Sequence, residues 1–320
     1  MKALILTAGL GTRLRPLTNE RAKPSLPIVG VPTFWFSAWQ LQKTLGIKEY
    51  ALNLSHKPNS VKAAAEDAEL VQTTGLRFHY SDETTQVLGS SGALVKLGAS
   101  WIGTDTLAVC NGDSICFPDW VKMLDFHRRS KALITMHVRS FTNALEQYTN
   151  IDVGSDGRVR KFDAKSDRGT MFSGCYLFEP SLLQRLPSGV SQLLPSLLEP
   201  LTVEGKLYAY TENTEWFDTG SVATYAQTQF ELLKKIHQAR PLVEIKMRES
   251  SAECWVPRNW ALATSKPALQ GPVVITGPQA EWAGHASVFG PRFVGIESPP
   301  PGLKIPTQNA IVLGSQVERI

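Results

Sequence analysis

The chain has 320 residues, of which 42% are hydrophobic and 19% charged. This apolar content excludes an intrinsically disordered protein, and no run approaches the ~20 consecutive apolar residues of a membrane-spanning helix. Lysine and arginine total 33 against 29 acidic residues, an excess too small to indicate nucleic-acid binding by itself. We therefore expect a globular protein of one large domain or two smaller ones.

From residue 2 to about 235, short apolar runs alternate with longer helical patterns, which is typical of βαβ units around a mainly parallel sheet. The predicted strands are Ala3–Thr7, Tyr50–Leu54, Leu76–Tyr80, Leu107–Cys110, Leu133–Val138, Phe172–Phe178 and Leu207–Tyr210. The predicted helices are Thr33–Leu45, Pro58–Ala68, Pro118–Arg129 and Ser221–Ile236. We also expect a hairpin of Ile151–Val153 and Val159–Phe162 to be inserted over the open end of the sheet.

The last 85 residues hold ten of the twenty prolines and show little helical periodicity. We expect a first domain over residues 1–236 and a β-rich extension over 237–320. Glycines 277, 284 and 290 faintly suggest a six-residue β-solenoid repeat, as in a short left-handed β-helix. An unspecific β-rich extension is the open alternative.

The N-terminus and the cysteines favour a cytoplasmic protein. The apolar run Ala3–Leu6 is too short for a secretory signal, and no cleavage site follows it. The cysteines are Cys110, Cys116, Cys175 and Cys254. No two of them stand at the spacing of a zinc site, so we expect buried free thiols.

A glycine-rich loop, Ala8–Thr18, follows the first predicted strand, where open α/β sheets bind ligands. The dinucleotide fingerprint fails because Leu14 replaces its third glycine, and the P-loop fails because no Gly-Lys-Ser/Thr triplet follows Gly9. The loop instead carries two arginines, and Lys23 follows it. Free backbone N–H groups, a guanidinium and a lysine suit a polyphosphate, so this segment predicts a nucleoside triphosphate site.

The run Gly9-Leu10-Gly11-Thr12-Arg13-Leu14-Arg15-Pro16-Leu17-Thr18 with Lys23-Pro24 resembles the signature loop of the sugar-1-phosphate nucleotidylyltransferases, such as the mannose-1-phosphate guanylyltransferases. The resemblance covers residues 1 to about 235. It implies a mixed, mainly parallel Rossmann-like sheet flanked by helices, and transfer of a nucleoside monophosphate from a nucleoside triphosphate to a sugar 1-phosphate. The residues that it implies for nucleotide binding are Ala8, Gly9, Gly11, Thr12, Arg13, Ser91 and Gly92. Arg13 would bind the β and γ phosphates, and Lys23 would lie near the α phosphate.

Two acidic motifs fit the same family. The run Leu107–Asp113 is an apolar strand that ends in a carboxylate at a glycine-containing turn, where a magnesium ion bridging phosphates would be held. Trp216–Gly220 resembles the second acidic motif of the family. The resemblance thus implies Mg²⁺ as cofactor, with Asp113 and Asp218 as its ligands and as catalytic residues.

The segments implied for base and sugar binding fit less completely. Leu88–Leu94, which contains Ser91 and Gly92, resembles the base-binding loop in its guanylyltransferase form. Gly174 is the candidate sugar contact, and Lys165 the candidate for the sugar phosphate. Alanine and serine replace the glutamate and proline that usually flank this lysine, which leaves the identity of the sugar open.

Several alternatives stay open at this stage. GTP with mannose 1-phosphate leads, ahead of UTP or dTTP with another hexose 1-phosphate. A non-catalytic nucleotide-sugar-binding regulatory paralogue is the rival from another class, and the missing third glycine disfavours a dinucleotide-dependent oxidoreductase. We expect neither nucleic-acid nor membrane partners, and we expect self-association through the C-terminal extension.

Overall fold

The computed structural model describes residues 1–142, 148–166, 168–251 and 254–259, and beyond these 268–269, 273–275, 288–289, 293–297, 304, 306, 308, 310–313 and 316–319. The chain divides into two compact units. The first comprises Met1–Gly9, Ser37–Pro58 and Leu76–Trp216, and the second comprises Leu10–Phe36, Asn59–Gly75 and Phe217–Ile320. The domain boundary expected at residue 236 stays a prediction.

Within the described residues, the first unit is built on a seven-stranded sheet. Its strands, in spatial order, are Leu207–Thr211, Ile134–Phe141, Gly169–Phe178, Leu107–Asn111, Ala3–Leu6, Glu49–Leu54 and Arg77–Asp82. Gly169–Phe178 runs antiparallel to both of its neighbours, and the other pairings are parallel. The predicted α/β class with a mixed, mainly parallel sheet is therefore confirmed. The predicted hairpin is also present, as the antiparallel strands Tyr148–Val153 and Val159–Ser166.

The described residues form helices at Thr33–Leu45, Pro58–Ala65, Ala68–Thr74, Gly89–Ile102, Trp120–Ser130, Glu199–Val203, Val222–Lys234 and Arg240–Lys246. Leu94 and Leu97 of the helix Gly89–Ile102 join Leu4 and Val109 of the central strands in one buried cluster. Burying a side chain of this kind contributes roughly 1.5–3 kcal/mol relative to leaving it exposed.

Two helix predictions need correction. The helix expected over Pro58–Ala68 is two helices, because the Asp67 carboxylate accepts a hydrogen bond from Leu70 N at 3.1 Å and caps a second one. The helix expected to begin at Pro118 begins at Trp120, because Asp119 caps it through Lys122 N at 3.0 Å. No helix among the described residues is long and apolar enough to cross a membrane.

The second unit contains the β-rich C-terminal segment that was expected. Its six-stranded sheet consists of Met247–Ser251, Cys254–Pro257, Val273–Ile275, Phe293–Glu297, Ala310–Leu313 and Gln316–Arg319. The middle four are parallel, with Cys254 opposite Val273, Val273 opposite Phe293 and Phe293 opposite Ala310. The steps are 19, 20 and 17 residues (273 − 254, 293 − 273, 310 − 293). Such regular parallel stacking favours the successive coils of a β-solenoid over an irregular β-rich extension. The three glycines that suggested a six-residue repeat lie outside the described residues.

Short elements complete the second unit. They are the strands Pro27–Ile28 and Val31–Pro32, the pair Ala268–Leu269 and Val288–Phe289, and 3₁₀ turns at Thr12–Leu14, Lys23–Ser25 and Ile236–Gln238. The helix Val222–Lys234 is fixed to the first of these through Gln229, whose side chain accepts from Val29 N at 2.7 Å and donates to Pro27 O at 2.9 Å. Two segments distant in sequence are thus held together in this unit.

Candidate active site

The loop after the first strand and the turn that carries Asp113 lie at the same edge of the sheet in the first unit. Their strands are parallel neighbours, with Leu6 opposite Asn111, and Gly112 N donates to Leu6 O at 2.9 Å. A Cβ atom on Gly112 would lie 2.9 Å from that same oxygen, so only glycine permits this turn. Asp113 follows with a half-buried side chain at the carboxyl edge, where open α/β sheets bind ligands.

Asn53, which the sequence analysis did not select, fixes the start of the glycine-rich loop. Its Oδ1 accepts hydrogen bonds from Thr7 N at 2.7 Å and from Ala8 N at 3.2 Å. Gly9 follows with no atom within 4 Å of the position that a Cβ would take. Backbone at Gly9 is therefore open to a ligand. A polar residue at the end of an otherwise apolar strand was the signal available in the sequence.

The predicted base-binding residues lie inside the first turn of a helix that begins at Gly89. The Ser91 hydroxyl is buried, 2.9 Å from Ser191 Oγ, and accepts from Ser196 Oγ at 3.0 Å. A Cβ on Gly92 would lie 2.6 Å from Gly189 O, so this glycine is required for packing. Contact of Ser91 and Gly92 with a base stays a prediction.

On the sugar side, Gly174 has a φ of +93°, and a Cβ there would lie 3.0 Å from Asn111 Cβ. Gly174 lies between Phe172 and Tyr176, where the pairing with the strand Ile134–Phe141 shifts in register. A glycine is therefore needed here both for its backbone conformation and for the space beside it. Trp216 Nε1 donates to Ser173 O at 3.0 Å. Lys165 lies on the hairpin opposite Thr149, with an exposed side chain.

A buried histidine lies next to this strand. His137 is fully buried, with Nδ1 2.8 Å from Ser173 Oγ and Nε2 3.4 Å from Glu212 Oε2. Burial opposes charge on the ring, but contacts with the Cys116 thiol and the Glu212 carboxylate outweigh it and raise the pKa of His137. The same contact lowers the pKa of Glu212. This ion pair could not be predicted from sequence, since His137 and Glu212 lie 75 positions apart (212 − 137).

The basic residues of the loop belong to the second unit. Gly11 has a φ of +58°, and a Cβ there would lie 3.0 Å from Thr18 Cγ2 and 3.2 Å from Lys23 Cβ. Thr18 Oγ1 donates to Gly11 O at 2.8 Å and closes the loop. Thr12 and Arg13 are exposed, whereas Lys23 is 9% exposed.

The side chains of Arg13 and Asp218 both lie close to Gly220. A Cβ on Gly220 would lie 3.0 Å from both carboxylate oxygens of Asp218 and 3.1 Å from Arg13 Nη2. The main chain of Asp218 is held by Thr228 Oγ1, which donates to Asp218 O at 2.9 Å. The second unit therefore places a predicted phosphate ligand and a predicted metal ligand close to the same glycine.

Each of the two aspartates by itself has donor chemistry that fits magnesium. Mg²⁺ prefers oxygen ligands and is usually held by one or two carboxylates together with substrate phosphates. Asp113 and Asp218 each offer a half-buried carboxylate. Among the described residues no group of three or more His, Cys, Asp or Glu side chains could hold a metal ion. A site in which substrate phosphates supply further oxygen ligands does not need three such side chains.

Comparison with known proteins agrees with the motifs. A family model described as nucleotidyl transferase matches residues 2–235. The chain is 28% identical over 312 residues to the UTP–glucose-1-phosphate uridylyltransferase of Synechocystis sp., covering 92% of this chain and 78% of the relative. It is 30% identical over 242 residues to the mannose-1-phosphate guanylyltransferase of Mycobacterium tuberculosis, covering 73% of this chain. This chain spans only 65% of the length of that guanylyltransferase.

Among solved structures, the UDP-glucose pyrophosphorylase from Acinetobacter baumanii superposes with a TM-score of 0.62 at 19% identity. The alignment covers 76% of this chain and 97% of that one. At this level of identity the likeness shows the fold alone.

Proposed function

Because this chain belongs to the nucleotidyl transferase family, we propose that it transfers GMP from GTP to mannose 1-phosphate and releases pyrophosphate. Its enzyme class is that of the sugar-1-phosphate nucleotidyltransferases, to which both named relatives belong. The observation that carries the proposal is the juxtaposition of the loop Ala8–Gly9 with the Asp113 turn at the carboxyl edge of the sheet. Open α/β sheets bind their ligands at this edge.

In the proposed reaction, a phosphate oxygen of the sugar 1-phosphate attacks the α phosphorus of the nucleoside triphosphate. A new P–O bond forms there while the bond from the α phosphorus to the bridging oxygen breaks, and pyrophosphate leaves in line. The attacking phosphate is already ionised near pH 7, since its second pKa is about 6, so no general base is required.

The main obstacle is the approach of two anions, and positive charge placed in advance reduces it. Arg13 would bind the β and γ phosphates, and Lys23 would stabilise charge near the α phosphate. Lys165 would bind the sugar phosphate, and Gly174 would let the hexose lie against the main chain. Gly9, with open space beside it, would offer backbone to the nucleotide.

Asp113 and Asp218 would hold Mg²⁺, which when bound supplies Lewis-acid stabilisation of the phosphate charge. Because the Arg13 guanidinium and the Asp218 carboxylate both lie close to Gly220, Arg13 would also help to place that carboxylate for the metal.

The choice of GTP is supported by the form of Leu88–Leu94 and by the 30% identity to a guanylyltransferase. A second candidate, UTP with glucose 1-phosphate, is favoured by a specific observation. The alignment to the uridylyltransferase covers 92% of this chain, which includes the C-terminal segment, whereas the alignment to the guanylyltransferase covers 73%. Side chains in the two pockets decide between the candidates.

The test is pyrophosphate release across a grid of GTP, ATP, UTP, dTTP and CTP against several sugar 1-phosphates, with Mg²⁺ and with EDTA. We expect GTP with mannose 1-phosphate to turn over fastest and EDTA to abolish the reaction. Faster turnover of UTP with glucose 1-phosphate would show that the proposed substrates are wrong and that the proposed enzyme class is right. Nucleotide binding without any turnover would favour the regulatory paralogue.

We further propose self-association through the six-stranded sheet of the C-terminal segment, whose outer strands Met247–Ser251 and Gln316–Arg319 each pair on one side only among the described residues. Sedimentation equilibrium over a hundredfold range of concentration tests this, and a monomeric mass throughout would contradict it. The cytoplasmic location expected from the N-terminal sequence stays a prediction.

A further inference from the structure

Glu83 is a fully buried carboxylate in the first unit, at 0% exposure. One of its oxygens, Oε1, accepts a hydrogen bond from Asn53 Nδ2 at 3.1 Å. The other, Oε2, accepts from Leu88 N at 3.0 Å. Among the described residues Glu83 forms no ion pair, so both of its partners are neutral donors.

One partner, Leu88, belongs to a segment predicted to bind the nucleotide, and the other, Asn53, hydrogen-bonds to the start of a second such segment. Leu88 immediately precedes the helix start that carries Ser91 and Gly92. The amide of Asn53, fixed by Glu83 at its nitrogen, directs its oxygen toward Thr7 N at 2.7 Å and Ala8 N at 3.2 Å. One carboxylate thus connects the start of the phosphate-binding loop with the start of the base-binding helix through four hydrogen bonds.

Burying a carboxylate costs free energy unless hydrogen bonds compensate, since leaving water costs an ionised group far more than a neutral amide. A glutamine would fill the same space at lower cost, but it has a single acceptor oxygen. The carboxylate offers a separate oxygen to each of Asn53 Nδ2 and Leu88 N, and a glutamine in the same place would turn its Nε2 toward one of these donors. The requirement for two acceptors explains why a charged residue lies here.

We infer that Glu83 is a positioning residue for the nucleotide, which sets the two loops in register through Asn53 and Leu88. This inference rests on the proposed function, and it adds residues that neither the signature loop nor the acidic motifs contain. Glu83 itself is buried and touches no substrate. Its effect therefore belongs in the binding of the nucleoside triphosphate rather than in that of the sugar 1-phosphate.

The test compares Glu83→Gln with the double variant Asn53→Asp/Glu83→Gln. In Glu83→Gln the new amide nitrogen faces either Asn53 Nδ2 or Leu88 N, so one hydrogen bond is lost and two donors oppose each other. In the double variant the glutamine donates to the new aspartate at position 53 and still accepts from Leu88 N. The aspartate keeps an oxygen for Thr7 N and Ala8 N, so all four bonds and the net charge are restored.

We expect Glu83→Gln to lower kcat/KM for the nucleoside triphosphate by about 10-fold to 100-fold, mainly through KM, as for loss of a hydrogen bond to a charged group. The KM for the sugar 1-phosphate should change by less than about threefold, and the double variant should recover most of the loss. Glu179→Gln is the matched control, because the Glu179 carboxylate is also hydrogen-bonded. It accepts from Thr106 Oγ1 at 2.6 Å and lies 3.0 Å from His127 Nε2. The thermal midpoint of this variant should fall while both KM values stay unchanged.

Equal effects on both substrates, an unchanged nucleotide KM, or no recovery in the double variant would overturn the inference. If the wild-type chain shows no turnover, the proposed function fails separately, and amide hydrogen exchange decides the inference. Glu83→Gln should then speed exchange at Ala8 and Leu88 together, and the double variant should slow both again. Faster exchange at only one of the two amides would contradict the link between the loops.

Discussion

Replacing Gly220 by alanine perturbs the site at one defined point. The added methyl carbon would lie 3.0 Å from both Asp218 carboxylate oxygens and 3.1 Å from Arg13 Nη2. These distances are shorter than an ordinary contact with carbon, of about 3.5 Å, so both side chains must move by several tenths of an ångström. Gly220 does not have a positive φ, so alanine adds no backbone strain.

The magnitude follows from the roles of the two displaced groups. Loss of one preorganised electrostatic contact typically costs about 2.7–4 kcal/mol of barrier, or 10²–10³ in rate. A partial displacement forfeits part of this, and we expect kcat/KM to fall by about 10-fold to 100-fold. Stability should not fall, because alanine at a compatible position stabilises a chain by about 0.4–1 kcal/mol through its unfolded state.

The assay is steady-state pyrophosphate release together with thermal unfolding of the same preparation. Gly154→Ala is the control, because Gly154 also lacks a positive φ and the nearest atoms to its Cβ position are the ends of the Asp156 and Arg160 side chains, in a hairpin turn. Gly154→Ala should keep wild-type turnover. Wild-type turnover in Gly220→Ala would refute the assignment of Arg13 and Asp218 as neighbouring catalytic groups.

Three further predictions concern a proposed metal ligand, a buried ion pair and a helix cap. Asp113→Asn should lower turnover by about 10²–10³ with an unchanged thermal midpoint, as measured by pyrophosphate release; unchanged turnover would contradict a catalytic role. The raised pKa of His137 means that its protonated form stabilises the fold, fully below its unfolded pKa of about 6.5 and no longer once the pH rises through the folded pKa. Urea unfolding should therefore show a larger loss of stability in His137→Asn at pH 6 than at pH 9, and an equal loss would argue against the ion pair with Glu212. Ser221→Ala removes the acceptor for Thr224 N, at 3.2 Å, and should cost about 1 kcal/mol by the same method; no loss would show that the capping box does not stabilise the helix.

Much of the first unit could be predicted because local patterns and long-range packing agree there. The strand Ala3–Leu6 is apolar and ends at a glycine-rich loop, and the helix Thr33–Leu45 is followed by Gly46 in a left-handed conformation. Such boundaries depend on residues within one or two positions. The enzyme class was predictable for a similar reason, since the signature loop and both acidic motifs are continuous in sequence.

The hydrogen bonds and contacts that position the site residues could not be predicted, because they join residues distant in sequence. Glu83 and Asn53 are 30 positions apart, and nothing in either segment reveals that one accepts a hydrogen bond from the other. Gly220 stood within a recognised motif, but its closeness to Arg13 depends on folding of the second unit. Hydrogen bonds of this kind become visible only when the strands and loops are placed.

For two glycines, the motif identified the residue but not the structural reason for it. Gly92 and Gly174 were selected as places where a ligand approaches the backbone, and the structure gives each a reason of its own. Gly92 packs against Gly189 O, and Gly174 has a positive φ beside Asn111. A motif identifies which glycine is required, whereas the packing around it explains the requirement.

Nucleotidyl transfer to a sugar 1-phosphate can be tested by tracing the phosphates of GTP. The chain is incubated with mannose 1-phosphate, Mg²⁺ and GTP that carries radioactive phosphorus at the α or the γ position. We expect α label in GDP-mannose and γ label in pyrophosphate, both only when the sugar phosphate is present. Release of γ label as orthophosphate without any labelled nucleotide sugar would contradict it.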